Sequence, residues 1–370
     1  MREAAADIVL PGISDLAAAE RMSREIAMLS GRLAHLLAAS PAAHDDQIAR
    51  AHTFLHAMYE ETAAGETLAR AEPAARRLRG DQHPIDRIRD ALSLDSSEID
   101  LILLAAMAEE HEGYSSVLRS LNPQNEPYAT VGLAAQLSCK NQNDRAALHR
   151  CLETGAAITA GVINLRGEVP FFEKSLMLAD GLWPVLCGFD VFPSTLAKVP
   201  LNDVAMGLDR WLGCADSGRA QQFLRQNRAA LLVMLADTES TAAHRAAALV
   251  AAANRNWIAF EFSPGTAPNT VRLALVHALA RGAVPIFRLT AGDSNPHPVM
   301  PDVGQFPGPV VICASRNMTL PLDVQRPVLK LSIEPLDAAS RERLWSKALP
   351  ELNGQAPTLA ARYMLERALV

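Results

Sequence analysis

The sequence predicts a mixed α and α/β chain, on three observations. Apolar residues recur at helical spacing through its N-terminal part. Short helical patterns then run into two apolar stretches separated by Arg166-Gly167. Finally, from about Asp203 onward, apolar runs of strand length alternate with Ala-rich segments of helix length. The 370 residues suit two or three domains, and a hydrophobic fraction of 49% supplies a core for each.

The first element is a helix from Ser14 to about Ala39, with Leu16, Met22, Ile26, Leu29, Leu33 and Leu36 on one face. Ser40-Pro41 ends it. A second helix, about Asp45 to Ala63, turns Ile48, Phe54, Leu55 and Met58 inward, so residues 1–70 read as a helical hairpin. His52 and His56, with Glu60 a turn further on, have the spacing of metal ligands. They lack the H-E-x-x-H glutamate and a distant ligand, so no metal site is expected. Residues 65–80 read as a polar, arginine-bearing linker or exposed helix.

Residues 84–190 form the next unit. Ile85, Ile88 and Leu92 align on a helix, and Asp95 with Glu98 makes a capping box for the apolar helix that follows. Tyr114–Leu121 is a third helix; Thr130 caps a fourth and Asn143-Asp144 opens a fifth. Strands are expected at Ile158–Leu165 and near Phe171–Leu178. Short helices closed by such a hairpin follow the plan of a winged helix. Lys140, Arg145, Arg150, Arg166 and Lys174 are too sparse for a phosphate-tracking stripe, so protein contact is favoured over nucleic acid.

In residues 203–350, strands are expected at Leu231–Leu235, Trp257–Phe262, Ala283–Leu289, Val310–Ala314 and Val328–Ile333. With the helices between them they imply a parallel sheet covered on both faces. The first strand, turn and helix have the rhythm of a phosphate-binding unit, but the turn reads Ala236-Asp237-Thr238-Glu239-Ser240-Thr241. It offers neither the glycines that wrap phosphate nor the lysine that offsets its charge. Asp237 and Glu239 place carboxylates there instead, and Ser240 or Thr241 is expected to cap the helix. The strand in the Walker B position is interrupted by Arg288, and its one acid, Asp293, follows a glycine. Arg326 reads as a surface arginine, with a role in trans at a subunit boundary as the other possibility. No other catalytic constellation is present.

The formal charge of −6 and pI near 5.9 argue against a coat for nucleic acid or anionic membrane. Five scattered cysteines, an acidic N-terminus and the lack of a long apolar run point to a reduced, cytoplasmic setting without a membrane span.

Ala108-Glu109-Glu110, Tyr114 and Thr130-Val131-Gly132-Leu133-Ala134 stand where a known pattern has its acidic helix end, tyrosine helix and next helix. This stretch, with the downstream hairpin, resembles the variant winged-helix domain of the AAA+ ATPases encoded with contractile injection systems, which are phage-tail-like particles. Ala129 replaces a proline common there. In that family a degenerate AAA+ module and then an intact one follow. The resemblance implies that residues 203–350 are the degenerate module, with VVICASRN resembling a sensor-1 strand and Asn317 at its polar position. It implies that 351–370 begin an α-helical lid and that the chain is an N-terminal fragment, with ATP and Mg²⁺ bound only by a downstream module. It further implies a homo-hexameric ring and a client from the injection particle. The expected function is non-catalytic ring scaffolding and protein recognition; the alternative is a DNA-binding regulator whose α/β unit is a sensor.

Overall fold

A computed structural model describes residues 13–39, 45–69, 83–201, 204, 207–226, 229–290, 300–321 and 325–363. The chain divides into two compact units, 1–192 and 193–370.

The first unit begins with α1 (Ile13–Ala38) and α2 (Asp46–Ala69), the expected hairpin. Then come α3 (Pro84–Leu92), α4 (Ser96–Glu110), α5 (Glu112–Leu121), α6 (Val131–Ser138), α7 (Gln142–Thr154) and the short α8 (Ala156–Ala160). Strands β1 (Ile163–Arg166) and β2 (Ser175–Leu178) pair antiparallel, and α9 (Leu182–Leu186) closes the unit. Met22, Ile26, Leu29 and Leu33 of α1 are buried as their spacing requires. Helix α4 has the capping box: Glu98 N donates to Asp95 Oδ1 at 2.9 Å while Glu98 Oε2 accepts from Asp95 N at 3.4 Å.

The hairpin and the winged-helix elements pack as one body. Arg21 grips Asp86 on α3 with two hydrogen bonds, of 2.7 and 2.9 Å. The hydroxyls of Ser30 and Tyr114 meet at 2.9 Å inside the core, and Phe54 on α2 meets Tyr114 edge to face at 5.3 Å. The expected strand at Ile158–Leu165 is shorter than its apolar run. Residues 156–160 coil instead, Gly161 ends that turn at φ 80°, and only Ile163–Arg166 extends. The second strand is likewise trimmed to Ser175–Leu178, after a single 3₁₀ turn at Phe171–Glu173.

The second unit contains α10 (Asp209–Leu212), α11 (Ala215–Gln226), β3 (Leu231–Ala236), α12 (Glu239–Ala252), β4 (Asn256–Phe262), α13 (Pro268–Ala280) and β5 (Ala283–Leu289). Strands β6 (Val310–Ser315) and β7 (Val328–Ser332) precede α14 (Ala338–Ala348) and α15 (Ala356–Arg362). The five strands form one parallel sheet in the order β4-β5-β6-β3-β7. Helices separate β3, β4 and β5 as expected. Among the described residues, none separates β5 from β6 or β6 from β7.

The alanines of α12 have a packing reason. Positions 241–250 are all buried, because α12 lies on the sheet and also carries Leu208, Leu336 and Leu344 against Ala248. Small side chains let a helix approach neighbours on two sides. Within it Arg245 is 1% exposed and its guanidinium stacks 4.7 Å from the Trp211 ring. On the opposite face of the sheet Phe260, Phe262, Phe287 and Leu289 are buried, and α13 packs on β4 and β5. The β4 edge is covered by an antiparallel segment: Val199 N donates to Ala259 O at 2.9 Å, and Glu261 N to Ala197 O at 2.8 Å.

Candidate functional site at the end of the parallel sheet

Strand β3 lies between β6 and β7. From it the chain crosses through α12 to the far edge at β4, returns through β5 and β6, and finally places β7 on the other side of β3. The order therefore reverses at β3, and parallel sheets bind ligands at the carboxyl ends of strands at such a switch point. The loop Ala236-Asp237-Thr238 stands at that end, followed by the N-terminus of α12.

Local chemistry fills this place from within. Thr238, and not Ser240 or Thr241, caps α12: its hydroxyl accepts from Thr241 N at 3.1 Å and meets the Thr241 hydroxyl at 3.0 Å. The cap position needs an extended backbone, which Thr238 has (φ −128°, ψ 150°), while Glu239 and Ser240 are already helical. Ala236 is buried and Asp237 exposed. Asp237 Oδ1 forms an ion pair with the Arg316 guanidinium, 3.3 Å from its Nε, and Arg316 also pairs with Glu334 at 3.4 Å and donates to Ile333 O. Arg316 follows β6, whose ladder continues one step further as Arg316 N donates to Ala236 O at 2.8 Å. Asn317, the residue singled out after this strand, is exposed on the turn beyond.

A second arginine enters from β5. Arg288 donates through Nη1 to Ser240 Oγ at 3.2 Å and through Nη2 to Glu261 Oε2 on β4 at 2.8 Å. In a working phosphate site, a Mg²⁺ ion bridges a hydroxyl of the first helical turn and an acid of this strand. Here a guanidinium joins a hydroxyl of that turn to an acid one strand further out. Asp293 lies outside the described residues. His244 and Arg245 sit on the buried body of α12, away from the loop.

Arg326 is not on the surface. It is 8% exposed and donates to the carbonyls of Ala229, Val303 and Gly308 at 3.0, 2.5 and 2.5 Å. Ala229 precedes β3, so this arginine ties loops at the amino end of the sheet, opposite the candidate site. Burial lowers its pKa from the usual arginine value. The sequence offered no signal for this burial.

His52 and His56 lie with ring centres 5.8 Å apart, and His56 pairs with Glu60 at 3.5 Å. Among the described residues no group of three or more His, Cys, Asp or Glu could hold a metal ion. No described helix is long and apolar enough to cross a membrane.

In the first unit, Thr130 bridges Ser175, and Val131 N and Leu176 N donate to Lys174 O and Ala129 O at 2.9 and 2.8 Å. A single bridge at Thr130 thus joins the segment before α6 to β2 of the two-stranded sheet, with α6 and α7 preceding the hairpin, as in a winged-helix arrangement. Residues 17–199 match the family model described as "Winged helix domain, variant". No curated protein and no solved structure matches the chain.

Proposed function

We propose that the chain is a non-catalytic component of a AAA+ ATPase of contractile injection systems, in which the first unit recognises a protein client and the second holds a place in a ring. One observation carries this reading: the loop at the switch point is occupied by Arg316–Asp237 and Arg288–Ser240 pairs in place of phosphate-binding groups. A fold that keeps the framework of a nucleotide pocket while filling the pocket with its own side chains suits a scaffold. The order β5-β6-β3 supports it further, since the strand likened to sensor 1 runs beside the loop-bearing strand. The winged-helix match over 17–199 supports the first half of the reading.

The residues at this loop do not fit MgATP. Without glycine the turn cannot present successive N–H groups to phosphate, and Arg288 fills the space between hydroxyl and acid that a metal would need. Hydrolysis therefore belongs to an intact module elsewhere in the assembly. Calorimetry with ATP and Mg²⁺ tests the pocket: no heat of binding up to about millimolar nucleotide is expected, and micromolar binding overturns the reading. Sedimentation of the protein, alone and with the ATPase that accompanies it, tests the scaffold role, where persistence as a monomer under both conditions counts against a ring.

A further inference from the structure

We infer that the α1–α2 hairpin is fastened to the rest of the first unit at two histidine helix caps, His83 and His111, each of which lets go in mild acid. The device lies within the first unit and does not depend on the role of the second.

Each cap uses a ring nitrogen that must carry no proton. His83 precedes α3, and its Nδ1 accepts from Ile85 N at 3.2 Å. Its other nitrogen, Nε2, lies 3.4 Å from Ala18 O on α1, which suits the neutral ring with its proton on Nε2. His111 precedes α5, and its Nδ1 accepts from Gly113 N at 2.9 Å. A proton on either Nδ1 turns the acceptor into a donor facing a backbone N–H, so the cap is lost.

Both caps stand where the hairpin docks. At the first, Arg21 of α1 holds Asp86 in the opening turn of α3, beside the Ala18 contact. At the second, the His111 ring lies 5.8 Å from the Phe54 ring of α2. Phe54 reaches the start of α5 because position 113 is glycine: a Cβ there would lie 2.2 Å from the phenyl ring. Tyr114, next along the chain, accepts the hydroxyl of Ser30 on α1 at 2.9 Å.

Neighbouring charges give the switch its direction. His83 faces Arg21 from α1 with Asp86 and Arg87 from α3, and burial, followed by the Arg21 charge, lowers its pKa. With the folded value lowered, its contribution is complete above about pH 6.5 and is lost as pH falls further. His111 has a second partner at hand, since Glu112 Oε2 is 3.8 Å from the same Nδ1. Around it α4 brings Glu110, which accepts the Ser23 hydroxyl of α1, while α2 and α5 bring the uncharged rings of Phe54 and Tyr114. A proton therefore exchanges the Gly113 amide for the Glu112 carboxylate as the partner of Nδ1, and α5 loses its cap.

Hydrogen exchange of the full chain from about pH 7.5 to about 5.5, corrected for intrinsic rates, tests this above the range where ordinary carboxylates titrate. In the wild type, opening at the starts of α3 and α5 and at the facing parts of α1 and α2 should rise several-fold, at most about tenfold for each histidine. Asparagine caps without titrating. His83→Asn should therefore remove the rise at α1 and α3, His111→Asn the rise at α2 and α5, and H83N/H111N both. Ring nitrogen shifts of the wild type at the upper pH should mark Nδ1 of both histidines as the bare nitrogen. The proposal is overturned if the double variant keeps the wild-type rise, or if the wild type changes by less than about twofold. A proton found on Nδ1 of either histidine at the upper pH overturns it equally, whether or not the variants fold.

Discussion

Arg316 Nε lies 3.3 Å from Asp237 Oδ1, joining the end of β6 to the loop after β3. The partners are 32% and 66% exposed, so solvent screens the pair and its net worth is small. The hydrogen bond from Arg316 to Ile333 O ties the same side chain to the residue after β7. Arg316→Ala is therefore expected to cost about 1–2 kcal/mol, mostly from the lost carbonyl partner, and Asp237→Asn less than about 1 kcal/mol. Urea unfolding of both variants checks the order; a larger loss from the aspartate change would reverse the assignment.

The cap of α12 gives a sharper contrast. Thr238→Ala should destabilise the second unit by about 1 kcal/mol, because the hydroxyl that accepts from Thr241 N is lost. Ser240→Ala removes only an Arg288 contact and should cost less than half of that, about 0.5 kcal/mol or below. Equal effects would mean that the cap had been placed on the wrong residue.

Arg326 anchors three carbonyls in a buried setting. Arg326→Ala leaves these acceptors without their donor and should cost about 3 kcal/mol or more. Lysine keeps charge but cannot fork toward all three, so Arg326→Lys should recover only part of that loss. The readout is the denaturant midpoint. A variant that melted normally but failed to assemble would instead restore the boundary role.

The α1–α3 junction should make stability fall in acid. His83 caps α3 by accepting from Ile85 N at 3.2 Å, and burial followed by the Arg21 charge lowers its pKa. A histidine held neutral in the fold contributes fully above its unfolded pKa near 6.5, and that contribution is lost as pH falls through the lowered value. Hydrogen bonding to Arg21 likewise holds the Asp86 carboxyl below its ordinary range, so its contribution is present above about pH 4 and is lost in stronger acid. Urea midpoints of wild type and His83→Asn from pH 7 to 5 separate the two. Asparagine caps without titrating, so the variant should lose less stability over that window.

Thiol reactivity should follow position. Some burial opposes ionisation of Cys214, but hydrogen bonds from the Ser217 side chain and from the backbone at Ser217 and Asp216 outweigh it and pull the pKa down. Burial pushes Cys151 to about 11 and Cys187 to about 12, and Cys313, fully enclosed in β6, higher still. Under native conditions a disulfide reagent should modify Cys214 before these three, and Cys313 should report only on unfolding. Mass mapping of the first adduct checks this.

Most of the framework was readable where periodicity and punctuation agreed. Asp95-Ser-Ser-Glu98 announced the start of α4, and the apolar runs at 283–289 and 328–333 marked β5 and β7 to within a residue. Ile158–Leu165 misled because a short apolar run bounded by glycine suits a helical turn as well as a strand. The site was legible in what it lacked, since the missing glycines and lysine stand in one hexapeptide. What fills it was not. Arg288, Arg316 and Glu334 come from separate strand ends, and only the pairing of β6 beside β3 decides that Arg316, not Asn317, faces the loop. The same holds for Arg326, whose three acceptors lie up to 97 residues away.

The segment Ala197–Val199 seals one margin of the parallel sheet along β4, and among the described residues no strand pairs with the outer margin of β7. Growth of the sheet by strand addition is therefore one-sided. At that open margin Pro327, which cannot donate a ladder hydrogen bond, comes just before β7, and Lys330 sits exposed at its middle. Proline and a desolvation-resistant ammonium discourage a foreign strand from zipping on. Among the described strands of the parallel sheet, protection against fibrous self-association thus stands at the border left open to strand addition.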